Sequence, residues 1–280
     1  TQALQKSAVS LGRYSKISIA FIALATASLI LFAISIFIIG APETDGRFWS
    51  AVMVTGVINI ITFPLMLRAY ELGEFSSVYS MILMTPVFLL VTSFFFLGET
   101  TSWFGALGVL LTVAGLWVIT KGNHHHVAVP NFTKGNILAV SVAFLWSISV
   151  NFDKLATIHS DAFFAPATIT AIMAAGYLFY LLIKHRTILV KTGNQLDTAH
   201  RFWGLDLGLL LILGLVMALS NVLHNSALLA GLASYTIAIK RTGILFGVFW
   251  GWLFFHEKNI GKKLFGAAVA ISGVVAILFS

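Results

Sequence analysis

The stretch ISIAFIALATASLILFAISIFIIG, residues 17–40, contains no charged side chain in 24 positions. About 20 consecutive apolar residues are enough for a helix to cross a bilayer. A spanning segment must satisfy its own backbone hydrogen bonds, and the apolar residues here do not alternate as they do in porin-type strands. We therefore predict that this stretch is a membrane-spanning α-helix.

The whole chain has the same character. Hydrophobic residues make up 59% of its 280 residues and charged residues 10%, whereas a soluble domain carries about a quarter charged residues. The chain has no cysteine, which excludes a disulfide framework or a thiolate metal site. We predict an all-α, multi-pass integral membrane protein with no metal and no cofactor. Its apolar segments are 17–40, 49–70, 75–97, 101–120, 136–156, 162–184, 205–230, 234–255 and 261–279.

The sequence also repeats itself at a constant spacing of 158 residues. Matched Phe or Ala residues arise easily by chance in so apolar a chain, but four ungapped glycines and a glutamate do not. The matching pairs are Gly56 and Gly214, Gly73 and Gly231, Glu99 and Glu257, Gly108 and Gly266, and Gly115 and Gly273. Segment 136–156 has no counterpart in the first half. We predict a ten-helix protein whose first helix is mostly absent from this sequence, with repeats at 1–122 and 136–280 and a linker at 123–135.

Basic residues are concentrated in the loops on one side of the predicted helices. The opposite side holds Arg47 and Lys154 alone. Loops rich in Lys and Arg stay in the cytoplasm, which places Ser280 outside. Five helices per repeat is an odd number, so the two repeats are predicted to be inverted, as in many secondary transporters. The thirteen basic residues of the first side are Lys6, Arg13, Lys16, Arg68, Lys121, Lys134, Lys184, Arg186, Lys191, Arg201, Lys258, Lys262 and Lys263.

Longer motifs accompany the repeated positions, namely Pro86 to Phe88, Phe96 to Glu99, Gly108 and Gly115, then Phe254 to Glu257, Gly266 and Gly273, and also Trp146, Asn151 and Lys154. These motifs resemble the drug/metabolite transporter superfamily, specifically its EamA-like members. The resemblance covers essentially the whole chain. It implies ten helices in two inverted five-helix repeats, a central cavity and alternating access. Relatives carry amino acids, drugs, nucleotide sugars or sugar phosphates, and they usually keep both termini in the cytosol, unlike the arrangement that the charge count predicts.

Two adjacent cations, Lys240 and Arg241, lie about six residues into the apolar segment 234–255. A charge within a bilayer span costs at least ~2.5–3.5 kcal/mol on insertion scales and usually faces a cavity. Neighbouring helical residues point about 100° apart, so at most one of the pair aims at the pathway. The pair resembles one in triose-phosphate-type translocators, which implies a phosphate- or carboxylate-bearing solute. The alternative is that the pair reaches an interface or is neutralised by an acidic partner.

Polar residues in other segments are further candidates for solute contact. Hydrogen bonding between helices explains most of them about equally well. Histidine in general changes charge near neutral pH, so His224 is a candidate for proton coupling, although a structural histidine is favoured. Trp146 and Tyr79 are candidates for aromatic cavity walls. The full set beyond the cation pair is Asn59, Tyr79, Trp146, Asn151, Ser220, Asn221, His224 and Asn225.

Several features favour structural roles. Glu99 and Glu257 each end an apolar segment, and we predict that they cap the helix that follows. The matched glycines near residues 108 and 266 form a strip for close helix contact, with a dimer contact as the alternative. Pro86 is either a kink or an accommodated proline. The run His124–His126 is predicted to be a solvated loop, because adjacent histidines cannot all face one metal ion.

We expect a secondary carrier that moves a small organic solute by alternating access, with no catalytic residue. Its expected partners are that solute, membrane lipid and a second copy of the chain, and no nucleic acid. The alternatives are an exporter of amino acids or drug-like compounds, an integral-membrane enzyme acting on lipids, and a channel. The ten acidic residues are mostly scattered, without an HExxH or DxxxD cluster, and no filter-like segment is repeated. A bacterial or archaeal inner membrane is the expected location.

Overall fold

The structure is a computed structural model that describes residues 16–73, 75–121, 133–191, 205–243, 245–246 and 260–280. Throughout these ranges the regular secondary structure is helical. The predictions for Glu257, His124–His126 and residues 123–132 lie outside the described residues. The helices are α1 (Lys16–Ile34, continued by a π-helical turn, Ser35–Ile39), α2 (Gly46–Leu72), α3 (Phe75–Ile82), α4 (Thr85–Leu97), α5 (Trp103–Lys121), α6 (Lys134–Ile158), α7 (Phe164–Lys191), α8 (Leu205–Ala230), α9 (Ala233–Arg241) and α10 (Ile260–Leu278).

Within the described residues, six helical stretches are long and apolar enough to cross a membrane. Two shorter helical stretches, Trp103–Ile119 and Leu264–Leu278, are also apolar. These lengths and compositions confirm the prediction of an all-helical, multi-pass membrane protein. The six stretches are Ile17–Ile39, Gly46–Leu72, Ser77–Leu97, Lys134–Ile158, Phe164–Ile183 and Leu210–Ala230.

The predicted span 75–97 is not one continuous helix. It is divided into α3 and α4 by a turn at residues 83–84. Pro86 has no backbone N–H and therefore cannot donate to the carbonyl of Ile82, four residues earlier. The hydroxyl of Thr85 donates to that carbonyl instead, at 2.7 Å. The break is thus a proline break whose free acceptor is satisfied locally.

A second break interrupts the predicted span 234–255, where α9 ends at Arg241. Here the hydroxyl of Thr242 donates to the carbonyl of Ile239 at 2.6 Å, and the backbone N–H of Thr242 donates to the same carbonyl at 3.0 Å. The two breaks occupy nearly equivalent places in the two repeats. Each is closed by a threonine that bonds three residues back.

The described chain divides into two compact units that cut across the sequence repeats. The first comprises residues 1–60 and 155–226. In it α1 packs against α7 and α8, and the hydroxyl of Ser28 donates to the carbonyl of Ala167 at 3.0 Å. The repeat boundaries predicted at 122 and 136 stay predictions. The buried side chains of this core are Ile19, Ala23, Leu210 and Leu213, followed by Ala27, Leu31, Ala167 and Ala218.

The second unit comprises residues 61–154 and 227–280. Within it, α5 and α10 pack closely against each other. A Cβ atom on Gly108 would lie 2.7 Å from the carbonyl oxygen of Gly273, and one on Gly115 would lie 2.5 Å from that of Gly266. The prediction that the glycine strip permits close helix contact is therefore confirmed. Because this contact lies within one chain, a homodimer, which stays a prediction, would use another surface.

Candidate solute-binding site

Arg241 ends α9 in the second compact unit. The last turn of a helix exposes carbonyl groups whose partial negative charge favours cations, and α9 carries both Lys240 and Arg241 there. The guanidinium carbon of Arg241 lies 5.8 Å from the centre of the Trp146 ring, which is within cation–π range. Its Nε atom is buried and has no hydrogen-bond partner in the described part of the chain. The Trp146 ring therefore makes a cation–π contact with the guanidinium without accepting a hydrogen bond from its Nε atom.

Trp146 is itself fixed by α2. Its indole N–H, the side chain's single donor, is donated to the hydroxyl of Thr62 at 3.0 Å. Met66 and Tyr70, one and two turns further along α2, pack in the same apolar cluster as Trp146. The ring orientation that faces Arg241 is thus set by one hydrogen bond and by packing from α2.

Two tyrosines also lie near Arg241. Both Tyr70 and Tyr79 are close enough to act electrostatically on the guanidinium. Tyr79 was a sequence candidate, whereas Tyr70 was missed. A signal was present in the sequence, since Thr62, Met66 and Tyr70 recur every fourth residue and so share one face of a helix.

Lys240 has different surroundings from its neighbour. Its side chain is exposed, whereas that of Arg241 is partly buried. Asp153, on α6, is the acid that acts electrostatically on Lys240. The structure therefore brings together Arg241, Trp146 and Tyr79 and directs Lys240 elsewhere, as the 100° angle between neighbouring residues requires.

Asn151, another sequence candidate in this unit, is buried between α6 and α4. Its side-chain amide donates to the hydroxyl of Thr92 at 3.0 Å and to the carbonyl of Ser147 at 2.9 Å. The bond to Thr92 joins two helices in an apolar environment, where polar groups commonly hold helices together, whereas the bond to Ser147 lies within α6. The structure thus gives Asn151 an interhelical contact.

The remaining candidates belong to the first compact unit. Asn225 is buried, and its side-chain oxygen accepts from the hydroxyl of Thr157 at 2.7 Å. Its amide donates to the carbonyl of Asn221 at 2.8 Å. The amide of Asn59 donates to the carbonyl of Thr55, one turn earlier, at 2.9 Å. These contacts tie Asn225 and Asn59 to neighbouring protein groups.

Ser220, Asn221 and His224 are partly buried on α8. Ser220 and His224 are four residues apart and share a face of that helix, as the sequence predicts. These three residues belong to the first compact unit, whereas Arg241 and Trp146 belong to the second.

Glu99 caps a helix, but not the one that follows it in sequence. The hydroxyl of Ser102 caps α5 by accepting from the N–H of Gly105 at 2.9 Å. Glu99 instead accepts from the N–H of Ala233 at 2.9 Å, at the start of α9. The reason is Gly98, whose positive φ of 66° ends α4 with a left-handed turn and redirects the chain. The prediction that Glu99 caps a helix is therefore confirmed, but the prediction that this helix is the next one in sequence is wrong.

The fold and this cation–aromatic cluster define a multi-pass membrane protein with a candidate solute site. The sequence matches the EamA-like transporter family over residues 3–121 and again over 133–279. The chain belongs to this family and is accordingly a membrane transporter of small solutes. Its two-repeat architecture is confirmed by the double match. The likeness of Lys240 and Arg241 to the pair in triose-phosphate-type translocators stays a prediction.

A comparison with solved structures agrees on the fold. One crystal structure superposes with a TM-score of 0.75 at 13% sequence identity, covering 100% of this chain and 92% of that chain. At this level of identity the likeness shows the fold alone. No curated protein matches the sequence.

Proposed function

We propose that this transporter is a secondary carrier for a small organic anion, and that Arg241 binds the solute's phosphate or carboxylate group. The observation that carries the proposal is the buried Nε atom of Arg241, which has no hydrogen-bond partner in the described part of the chain. A buried donor without an acceptor costs about 1–3 kcal/mol, and more when it is charged. An anionic solute would supply both the acceptor and the opposite charge.

The chemistry of the surrounding side chains supports an anion. A guanidinium presents donors in a planar fork that fits a carboxylate or phosphate with two parallel bonds. Trp146 faces the guanidinium without competing for its donors. Tyr70 and Tyr79 act electrostatically on the guanidinium and, unlike Asp or Glu, bring no carboxylate that would compete with an anionic solute. Lys240, the residue before Arg241 on α9, raises the local positive potential and attracts anions from a distance.

The helix breaks support alternating access as the mechanism. Transporters commonly bind solutes beside interrupted membrane helices, because half-helix ends present unsatisfied polar groups and permit bending. Arg241 stands at such an end, where α9 stops. The corresponding break between α3 and α4 lies next to Tyr79, on α3. Movement at either break would alter the surroundings of the guanidinium.

Counterflow in proteoliposomes tests the proposal. Vesicles loaded with inorganic phosphate, a sugar phosphate, a dicarboxylate or a neutral amino acid are diluted into the labelled solute. We expect exchange of one or more anions by the parent protein and at least a tenfold loss in Arg241→Met, as roughly expected for removal of one charge-assisted bond. Arg47→Met removes an exposed cation and should exchange normally. Normal anion exchange by Arg241→Met would refute the proposal.

Two other outcomes would favour the alternatives. Exchange confined to the neutral amino acid would favour an exporter of amino acids or drug-like compounds. Chemical turnover of vesicle lipid without exchange would favour an integral-membrane enzyme. We further propose a bacterial or archaeal inner membrane as the location, because the strong bias of basic residues to one set of loops is the topology signal used in such membranes.

A further inference from the structure

Lys154 and Glu99 form a largely buried ion pair near the beginning of α9, the helix that ends in Arg241. The ammonium of Lys154 donates to Glu99 Oε1 at 2.5 Å and to the carbonyl of Gly231 at 2.6 Å. The second carboxylate oxygen of Glu99 accepts from the N–H of Ala233. The two side chains are 13% and 8% exposed. Ala233, the first residue of α9, and Gly231 just before it are thus held by charged groups from α6 and from the turn that follows α4.

The other end of α9 is also held by α6. Trp146 precedes Lys154 by eight residues on α6, and Arg241 follows Ala233 by eight residues on α9. With a rise of ~1.5 Å per residue, both intervals are about 12 Å long. Midway, Val150 of α6 lies in the same buried cluster as Ile237 of α9. The two helices therefore run antiparallel with matched spacing, in contact at both ends of α9.

From this two-point attachment we infer that Glu99 and Lys154 are positioning residues, which set the place of α9 so that Arg241 stays over Trp146. The inference rests on the proposed function for its effect on the solute. A buried ion pair adds little to stability compared with apolar residues of the same size, because both charges lose their water. Its directional bonds to Gly231 and Ala233 do fix one register of α9. Anion affinity then depends on residues that never touch the anion.

The test compares Glu99→Gln and the double variant Glu99→Gln/Lys154→Met in the full chain. Glu99→Gln leaves the charge of Lys154 uncompensated, and it is expected to lower the thermal midpoint. The double variant removes both charges and is expected to unfold near the parent's thermal midpoint. Glu71→Gln is the matched control, because it removes an ion pair of the same kind, with Arg68, at an exposed site on α2.

Two measurements are made on each variant. Because the chain has no cysteine, spin labels placed through Ser141→Cys on α6 and Ile239→Cys on α9 report the distance between these helices without any ligand. Inorganic phosphate is titrated while the thermal midpoint is followed. We expect the double variant to shift or broaden the label distance and to weaken phosphate binding roughly ten- to hundredfold, since small misplacements of a binding group have such effects. Glu71→Gln should change neither.

An unchanged label distance in the double variant would overturn the inference, whatever happens to stability. A changed distance with parent-like phosphate binding would also overturn it, because Arg241 would then not depend on the position of α9. If the parent protein binds neither phosphate nor any other anion, the proposed function fails. The label distance still decides whether Glu99 and Lys154 position α9.

Discussion

Trp146 donates its indole N–H to the hydroxyl of Thr62 at 3.0 Å, so the orientation of its ring is fixed from α2. The face of the same ring lies 5.8 Å from the guanidinium carbon of Arg241. Thr62 is completely buried, which prevents water from replacing either partner. Three helices, α2, α6 and α9, therefore meet at one aromatic side chain.

The first prediction concerns this ring. Trp146→Leu removes the aromatic face and should weaken anion binding about 2- to 30-fold, since cation–π contacts contribute ~0.5–2 kcal/mol. Trp146→Phe keeps a ring but loses the bond to Thr62, and it should fall between Leu and the parent. Phosphate titration followed by thermal midpoint measures the order. Trp103→Leu, at a fully exposed ring on α5, is the control. Equal affinity in the Leu and Phe variants would contradict this prediction.

The second prediction concerns the glycine contact between α5 and α10. Gly115→Ala would place a methyl group 2.5 Å from the carbonyl oxygen of Gly266, a backbone atom that cannot move aside alone. We expect a loss of about 1–3 kcal/mol, typical of overpacking, seen as a lower thermal midpoint in detergent. Gly208→Ala is the matched control, because its added methyl meets nothing within 4 Å. That variant should be neutral or slightly more stable, since alanine is the better helix former.

A third prediction concerns the break before α4. Thr85→Val removes the hydroxyl that satisfies the carbonyl of Ile82 and leaves a buried acceptor, which should cost roughly 1–3 kcal/mol. Thr85→Ser keeps the donor and should retain most of the stability. Thermal unfolding of the two variants gives the comparison. Similar midpoints for Val and Ser would mean that the hydroxyl does not support the break.

The fourth prediction concerns the stability that Asp45, which precedes α2, contributes to the fold as the pH changes. Its Oδ1 atom accepts from the N–H of Phe48 at 2.9 Å, and its Oδ2 atom lies 3.0 Å from Nδ1 of His159. The bond from Phe48, with a smaller contribution from His159, holds the pKa of Asp45 below its ordinary value of 3.8. A lowered carboxyl pKa stabilises the fold above the unfolded value, and this stabilisation is lost as the pH falls through the folded value.

Asp45→Ala should therefore lower the thermal midpoint at pH 7, and its difference from the parent should shrink below about pH 4. Asp45→Asn keeps an equally good helix cap but carries no charge. The difference in thermal midpoint between this variant and the parent therefore isolates the charge of Asp45 and its contact with His159. Thermal unfolding between pH 3 and pH 7 tests both variants. A difference that stays constant over this range would show that the charge of Asp45 does not matter.

Much of the fold was predictable because its determinants are local or repeated. Apolar stretches such as residues 17–40 specify membrane helices by length and composition alone. Gly115 and Gly266 identify close-packing surfaces through the repeat. The break before α4 was less predictable, because Pro86 by itself fits either a kink or an uninterrupted helix. The structure shows that the helix is interrupted there. The interruption is stabilised by the hydrogen bond from the Thr85 hydroxyl to the carbonyl of Ile82, which the sequence alone does not reveal.

The candidate site was predictable only in part. Arg241 and Lys240 are conspicuous as charged residues in an apolar segment, but the sequence does not indicate which of the two lies in the candidate site. Trp146 and Tyr79 were proposed for their aromatic character, and Tyr70 was missed because its relation to Arg241 joins α2 to α9. The inversion of the repeats, the orientation of the termini and the identity of the solute stay predictions.

By itself, the sequence determined that the protein is helical, embedded in a membrane and duplicated, because hydrophobicity over about 20 residues and matched spacings can be read along one chain. The tertiary structure decided which cation faces an aromatic ring and which helix Glu99 caps. Those outcomes depend on the register between α6 and α9, which is set by packing between segments distant in sequence. No local pattern encodes that register, so Glu99 looks like a cap for α5 until the turn at Gly98 directs it to α9.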